Sequence, residues 1–396
     1  MTITDAIRIT STEAQMATVT LADVFSPTRT DWVALSRELA AEFAARASAH
    51  DADDSFVADN YAELRRRRVL SAPVPASLGG GDASYPELCD MLRVLAHGCS
   101  ATALALAMHT HPVAFAVRRW RDGNAGPERL LRRLAAEQLV IVSSGGSDWL
   151  SGSGVAERTE GGFRVTGHKR FASGVPAGDL LMTTAVLDHA TDGPAVLHLA
   201  VPLRADGVRI VETWRTLGMR GTGSHDVILD HVFVPDAAVS GRRPRGRWSP
   251  MFDLVYTMAF PLVYSVYVGV AEAARDLALA QVTAKRDDRL VQLGAGEMET
   301  ELTAARLALA DMIAAAGTAP GPETTNRVAI GRSLAGRAAI RTVDKAMELV
   351  GGAAFYRSLG LERLYRDVQG ARFHPMQEKP QFLYTGRLAL GMDVND

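Results

Sequence analysis

Apolar and polar residues follow two different spacings along this chain, and the points where the spacing changes divide it into three blocks. From about Ser26 to Glu137 the segments are rich in Ala, Leu and Arg, as in LSRELAAEFAARASAH and YAELRRRRVL, and they read as helices. The stretch SAPVPASLGGGD (Ser71–Asp82) breaks this run. Two further helical segments follow it, YPELCDMLRVLAHG and ATALALAMHTHPVAFAVRRW. Near Leu139 the pattern shortens into β-rich pieces separated by Gly, Asp and Pro: LVIVSS, FRVTGHKRFAS, LLMTTAVL, AVLHLAVPL, VRIVE and VILDHVFV. After the basic, Pro-containing linker GRRPRGRWSP (Gly241–Pro250) helical spacing returns to the end. Leu302, Leu309, Met312 and Ile313 share one face there, and so do Ile340, Val343, Met347 and Val350.

Helices, strands and helices in that order predict an α+β fold, with an antiparallel β-domain inserted between two helical domains. The boundaries read as 1–137, 138–243 and 244–396. Composition alters this little: 47% hydrophobic and 22% charged residues are ordinary for a globular chain. A formal net charge of −2 gives no electrostatic reason to expect nucleic acid or an anionic membrane as partner. Cys89 and Cys99 exclude a disulfide framework, and no Cys/His spacing suggests a metal site. The first thirty residues lack the basic and apolar regions of a signal peptide, and no apolar run is expected to approach eighteen residues, so a cytoplasmic location is expected. The arginines Arg65–Arg68 read as a solvated helix face.

The candidate chemistry centres on WRTLGMRGTGSHDVILDHVFVP (Trp214–Pro235), a Gly/Thr/Ser loop running into a β-branched strand stopped by Pro235. Such a loop offers N–H and O–H donors without bulk, which suits close approach to a flat or anionic ligand.

This loop resembles the middle of the acyl-CoA dehydrogenase superfamily of flavoproteins. The segments SSGGSD (Ser143–Asp148), GHKRFASG (Gly167–Gly174) and Leu349–Gly352 followed by LERLYRD (Leu361–Asp367) extend the likeness over roughly residues 30–390. The resemblance implies an N-terminal helical domain, a β-domain and a C-terminal four-helix bundle, with a flavin (FMN or FAD) between the last two, and assembly as a homotetramer. It implies flavin contacts from Val142, Ser143, Ser144, Ser147, Phe171, Ser173, Gly351 and Gly352. Phe171 matches an aromatic beside the ring and Ser173 a hydroxyl near its reactive nitrogen.

The chain departs from the dehydrogenase pattern where that chemistry needs a base. The family's Glu after the RD pair corresponds to Pro375, preceded by His374, and the alternative position falls near Ala259. Glu378 lies one helical turn further on. Glu348 stands where a Gln usually faces the cofactor, and the usual Thr-Glu-Pro at the β-domain entrance is replaced by Ser143-Ser144. These departures resemble the two-component flavin monooxygenase branch, in which a separate reductase supplies reduced flavin. There His374 would act as acid or base, or bond the oxygen that the flavin activates, because an imidazole titrates near neutrality. Two activities stay open at this point: a monooxygenase acting on an apolar or aromatic small molecule, and an acyl-CoA or acyl-carrier-protein dehydrogenase with Glu378 or His374 as an unusual base. A family member that binds without turnover is a third. His109 is a further catalytic candidate, and His111, Arg220, Met258 and Tyr264 are candidates for the substrate cavity, with Arg220 holding either a ligand anion or a neighbouring carboxylate.

Overall fold

The computed structural model describes residues 30–144, 150–188 and 193–395. Five helices come first: α1 (Trp32–Asp53), α2 (Ala58–Arg66), α3 (Tyr85–Gly98), α4 (Ser100–Arg121) and α5 (Glu128–Glu137). Their starts are written locally. Asp31 caps α1 by accepting the Ala34 N–H at 2.9 Å. Ser84 and Glu87 close a reciprocal capping box on α3, with Pro86 in its first turn.

Eight strands follow: β1 (Ile141–Ser143), β2 (Val155–Thr159), β3 (Gly162–Ala172), β4 (Leu180–Leu187), β5 (Ala195–Pro202), β6 (Val208–Val211), β7 (His225–Pro235) and β8 (Val239–Pro244). They form one sheet in the order β6-β7-β3-β2-β4-β5-β8, with β1 beside β4. Most pairings are antiparallel, as the alternating pattern predicts, but β1 and β2 each run parallel to β4. The sheet is therefore mixed. β1 enters from a helix rather than from a hairpin, so nothing forces it to reverse. Asp179 anchors this entry by accepting the Val140 N–H at 2.8 Å.

The C-terminal block is α6 (Pro250–Val282), α7 (Arg289–Ala316) and α8 (Pro322–Val350), followed by α9 (Leu361–Val368) and α10 (Glu378–Ala389). Helix α6 packs against α3, α4, α7, α8 and α9, so it is apolar on every side. Contrary to the sequence expectation, it is long and apolar enough to cross a membrane, but 89% of its most apolar window is buried inside the fold. One buried carboxylate ties these helices together. Glu272 of α6 meets Arg93 (2.7 Å) and His97 (3.0 Å) of α3 and Arg306 (2.7 Å) of α7. The N-terminal and C-terminal blocks thus share one hydrophobic core with the inner face of the sheet.

Candidate active site

The end of β3 carries the first group of functional side chains. Its pairing with β7 shifts register between Lys169 and Ala172, and the bulge places Phe171 in the left-handed region (φ +60°) with its ring 52% exposed. A buried strand residue has been turned outward, at a backbone cost that a bulky side chain ordinarily avoids. Trp214 supports the ring edge-on at 5.9 Å between centroids. Beside it, the hydroxyls of Ser173, Ser224 and Thr222 form a chain with 2.7 Å at each step. Thr222 and Ser224 are buried while Ser173 is partly open. If each inner hydroxyl donates outward, Ser173 keeps its own proton for a ligand.

The loop bearing these hydroxyls is held against α9. Asp367 accepts the Met219 N–H at 2.5 Å and the Ser100 hydroxyl of α4. Gly218 is needed for this approach, because a Cβ there would lie 2.2 Å from the Arg366 carbonyl. On β1, which pairs with β4, Val142 is buried and Ser143 is partly exposed, and Ser144 just beyond bonds Thr183 at 2.7 Å. Ser147 lies outside the described residues.

A second group lies where α6, α8 and the turn after α9 meet. His374 is half-buried, and its Nε2 is 2.6 Å from the Tyr267 hydroxyl of α6. Tyr264, one turn earlier and also buried, donates to the Ala371 carbonyl at 2.6 Å. The Arg332 guanidinium of α8 is 1% exposed, lies 5.5 Å from the Tyr264 ring, and donates to the His374 carbonyl at 3.0 Å. Burial, followed by this nearby cation, lowers the His374 pKa to about 3. Both effects favour the neutral imidazole and weaken His374 as a base. The Tyr264 ring lies 6.5 Å from the His374 ring. Met258 is buried two turns earlier on α6, where its carbonyl accepts the Tyr85 hydroxyl.

Other sequence candidates stand elsewhere. His109 has both ring nitrogens committed to backbone: Nε2 lies 2.9 Å from the Leu70 carbonyl and Nδ1 accepts the Ile141 N–H at 3.0 Å. It is 1% exposed and joins α4 to the first strand, so it has no nitrogen left for catalysis. His111 faces differently, with Nδ1 3.3 Å from the Ala107 carbonyl of its own helix. Arg220 is engaged by a neighbouring carboxylate, Asp54, at 2.5 Å, so the protein itself supplies its anion. Gly351 and Gly352 end α8 with open space around both, and no contact ties them to the other groups. Glu348 pairs with Lys345 at 2.8 Å on the surface.

Glu378, three residues after Pro375, is bound by Arg337 at 2.6 Å and 3.0 Å. These bonds hold its pKa below the usual carboxylate range, which makes it a poorer base. Among the described residues, the buried acids Asp253, Glu272 and Asp367 are also all engaged. Sequence reasoning missed Tyr267 and Arg332. The only trace was two tyrosines three apart in an apolar helix, which reads equally as core.

An exposed aromatic wall beside a donating hydroxyl fits the flat, hydrogen-bonding ring of a flavin. The N-terminal, middle and C-terminal domains of acyl-CoA dehydrogenase match residues 28–137, 143–232 and 261–374. A putative acyl-CoA dehydrogenase of Bacillus subtilis, YdbM, is 30% identical over 87% of this chain and 92% of its own. The amino sugar nitrososynthase DnmZ of Streptomyces peucetius is 30% identical over 84% and 86%. A dibenzothiophene monooxygenase of Mycolicibacterium goodii is 25% identical over 87% and 90%. Among solved structures, KijD3 in complex with FMN and a dTDP-linked amino keto sugar superimposes with a TM-score of 0.84 at 26% identity, over 94% of this chain and 97% of that one. The chain belongs to the acyl-CoA dehydrogenase family and is a flavin-dependent oxidoreductase.

Proposed function

We propose that the protein is the oxygenase component of a two-component system. It would receive reduced FMN from a separate reductase and transfer one oxygen atom from O2 to a small molecule. The observation that carries this reading is the state of the base position. Pro375 and Ala259 stand where a carboxylate is required, Glu378 is held by Arg337, and burial beside Arg332 lowers the basicity of His374. Removal of an α-proton from a thioester needs a group that accepts it, and none of these is suited. Oxygen transfer needs a positioned hydrogen-bond donor, and the Ser173–Ser224–Thr222 hydroxyl chain supports one here.

When bound, reduced flavin supplies the electrons that activate dioxygen. Phe171 and Trp214 would wall one side of the ring, and Ser173, backed by Ser224 and Thr222, would orient it by donating a hydrogen bond. The Gly218-dependent seat of the loop on α9 fixes those donors in place. His374, with Tyr264 and Tyr267 behind it, would line the reaction space opposite. The apolar and aromatic side chains of α6 favour an aromatic or otherwise apolar substrate; a heteroatom-bearing ring such as that named for the dibenzothiophene relative, or an amine such as that named for the nitrososynthase, fits the same reading.

Two further elements belong to this proposal. Phe355 (86% exposed), Tyr356 and Phe373 lie open on the C-terminal block, which supports association of subunits there, as a homotetramer. The buried free thiols Cys89 and Cys99 support a cytoplasmic location.

The test is turnover with a flavin reductase, FMN and NADH under 18O2, against a panel of dibenzothiophene, aromatic amines and amino sugars. One labelled oxygen per product supports the reading. Reduction of the bound oxidised flavin by an acyl thioester in the absence of oxygen refutes it and assigns dehydrogenation.

A further inference from the structure

We propose that Tyr267, admitted by Gly370, locks His374 with its ring proton on Nδ1, so that this histidine meets the reacting molecules as a fixed hydrogen-bond donor. The inference rests on the reading that the reaction takes place at His374. Tyr267 is a positioning residue in this scheme, acting through the imidazole.

The argument starts from the direction of one hydrogen bond. The Tyr267 hydroxyl and His374 Nε2 are 2.6 Å apart, and either atom has the chemistry to donate. Tyr267 is fully buried. If Nε2 carried the proton and donated, the phenol hydrogen would need another acceptor, and none is found among the described residues. A buried donor left without an acceptor is rarely tolerated. The alternative of a phenolate is opposed by burial, which raises the Tyr267 pKa well above its ordinary value. Tyr267 therefore donates and Nε2 accepts. A neutral imidazole that accepts at one nitrogen carries its proton on the other.

The surroundings exclude the doubly protonated ring. Arg332 of α8 places a positive charge against the same turn, donating to the Ala371 and His374 carbonyls. Tyr264 and Tyr267 of α6 are neutral. The acids nearest in sequence are committed elsewhere, Glu378 of α10 to Arg337 and Asp367 of α9 to Ser100 and Met219. Nothing facing the ring stabilises a second proton. Nδ1, by contrast, has no partner among the described residues, and the ring is only half-buried. Its N–H is left for a ligand.

Gly370 makes the lock possible. A Cβ at this position would lie 2.7 Å from the Tyr267 hydroxyl oxygen, so any larger residue displaces the phenol from His374. Tyr264, bonded to the Ala371 carbonyl, holds the same turn one helical turn earlier on α6. The two tyrosines thus grip the backbone and the ring of one short segment.

The test reads the tautomer directly. Protein labelled with 15N-histidine and free of flavin is compared with His374→Gln to assign the signal by difference. The expected result is a single Nδ1–H tautomer that persists from pH 5 to pH 8. Tyr267→Phe and Gly370→Ala should each convert it to a mixture, and each should lower kcat about tenfold, the worth of one positioned hydrogen bond, while KM stays within about twofold. Two variants that act on the same bond from opposite sides guard against misfolding of either. An Nε2–H tautomer in the native protein overturns the proposal, as does a native spectrum and native kcat in both variants. Because the spectrum needs no flavin, a locked Nδ1–H in a protein without oxygenase turnover would sustain the lock and refute the functional reading alone.

Discussion

Replacing Glu272 with Gln gives the clearest energetic test of how the helices are assembled around the candidate site. This carboxyl is 3% exposed on α6, five residues beyond Tyr267, and it is the point at which α3 and α7 are fastened to that helix. Burial alone would raise its pKa, but hydrogen bonds and charge from His97, Arg93 and Arg306 outweigh burial and bring it from 4.5 down to about 2. A carboxylate whose folded pKa is depressed contributes stability that is fully present above its unfolded value and is lost as pH falls through the folded one. The shift corresponds to roughly 3 kcal/mol. At about 2 °C per kcal/mol for a chain of this size, Glu272→Gln should lower the unfolding midpoint by about 6 °C at pH 7. The difference between the two proteins should then narrow as pH falls below 4.5 toward 2. Thermal unfolding followed by circular dichroism at pH 7, 5, 4 and 3 makes the comparison. A deficit that stays constant across that range would show that shape, not charge, fastens the helices, and would refute the reasoning.

Three other outcomes follow from the site. His109→Gln leaves at least one of two buried backbone groups without its partner and should cost about 1–3 kcal/mol by denaturant titration. Since burial lowers the His109 pKa to about 4, its neutral form stabilises the fold above pH 6.5, and that contribution should fade as pH drops from 6.5 toward 4 in the native protein but not in the variant. Phe171→Ala should weaken reduced FMN binding about tenfold, measured by anaerobic fluorescence titration, with stability changed by less than about 0.5 kcal/mol because the ring is half in solvent. Ser173→Ala should weaken the same binding by about 1 kcal/mol, and Ser224→Ala by less, because Ser224 only orients the hydroxyl that touches the ligand.

The fold was largely legible because it depends on periodic patterns. Apolar positions three and four apart marked the helices, and alternating positions bounded by Gly and Pro marked the strands. The parallel entry of β1 beside β4 was not legible, since register between distant strands is set by contacts such as Asp179 to Val140 that no local pattern records. The site divides in the same way. Phe171 and Ser173 stood out because they lie within a contiguous motif. The partners of His109, Leu70 and Ile141, and of Arg220, Asp54, lie 32 to 166 residues away along the chain, so sequence alone could not place His109 or choose between the two readings of Arg220. A histidine in an apolar helix looks the same in sequence whether it meets a substrate or a backbone carbonyl. The charge state of His374 depends on its burial and on Arg332, an interior residue that carries no sequence signature of its own.

The central claim is that this protein handles reduced flavin and oxygen rather than a thioester. It is tested most directly by mixing protein saturated with reduced FMN under anaerobic conditions with oxygenated buffer in a stopped-flow instrument, following dissolved oxygen and the flavin spectrum together. The account predicts that oxygen is consumed one-for-one while the return of the oxidised flavin spectrum lags well behind, compared with free reduced FMN. Reoxidation at the rate of free flavin, with no lag, would contradict it.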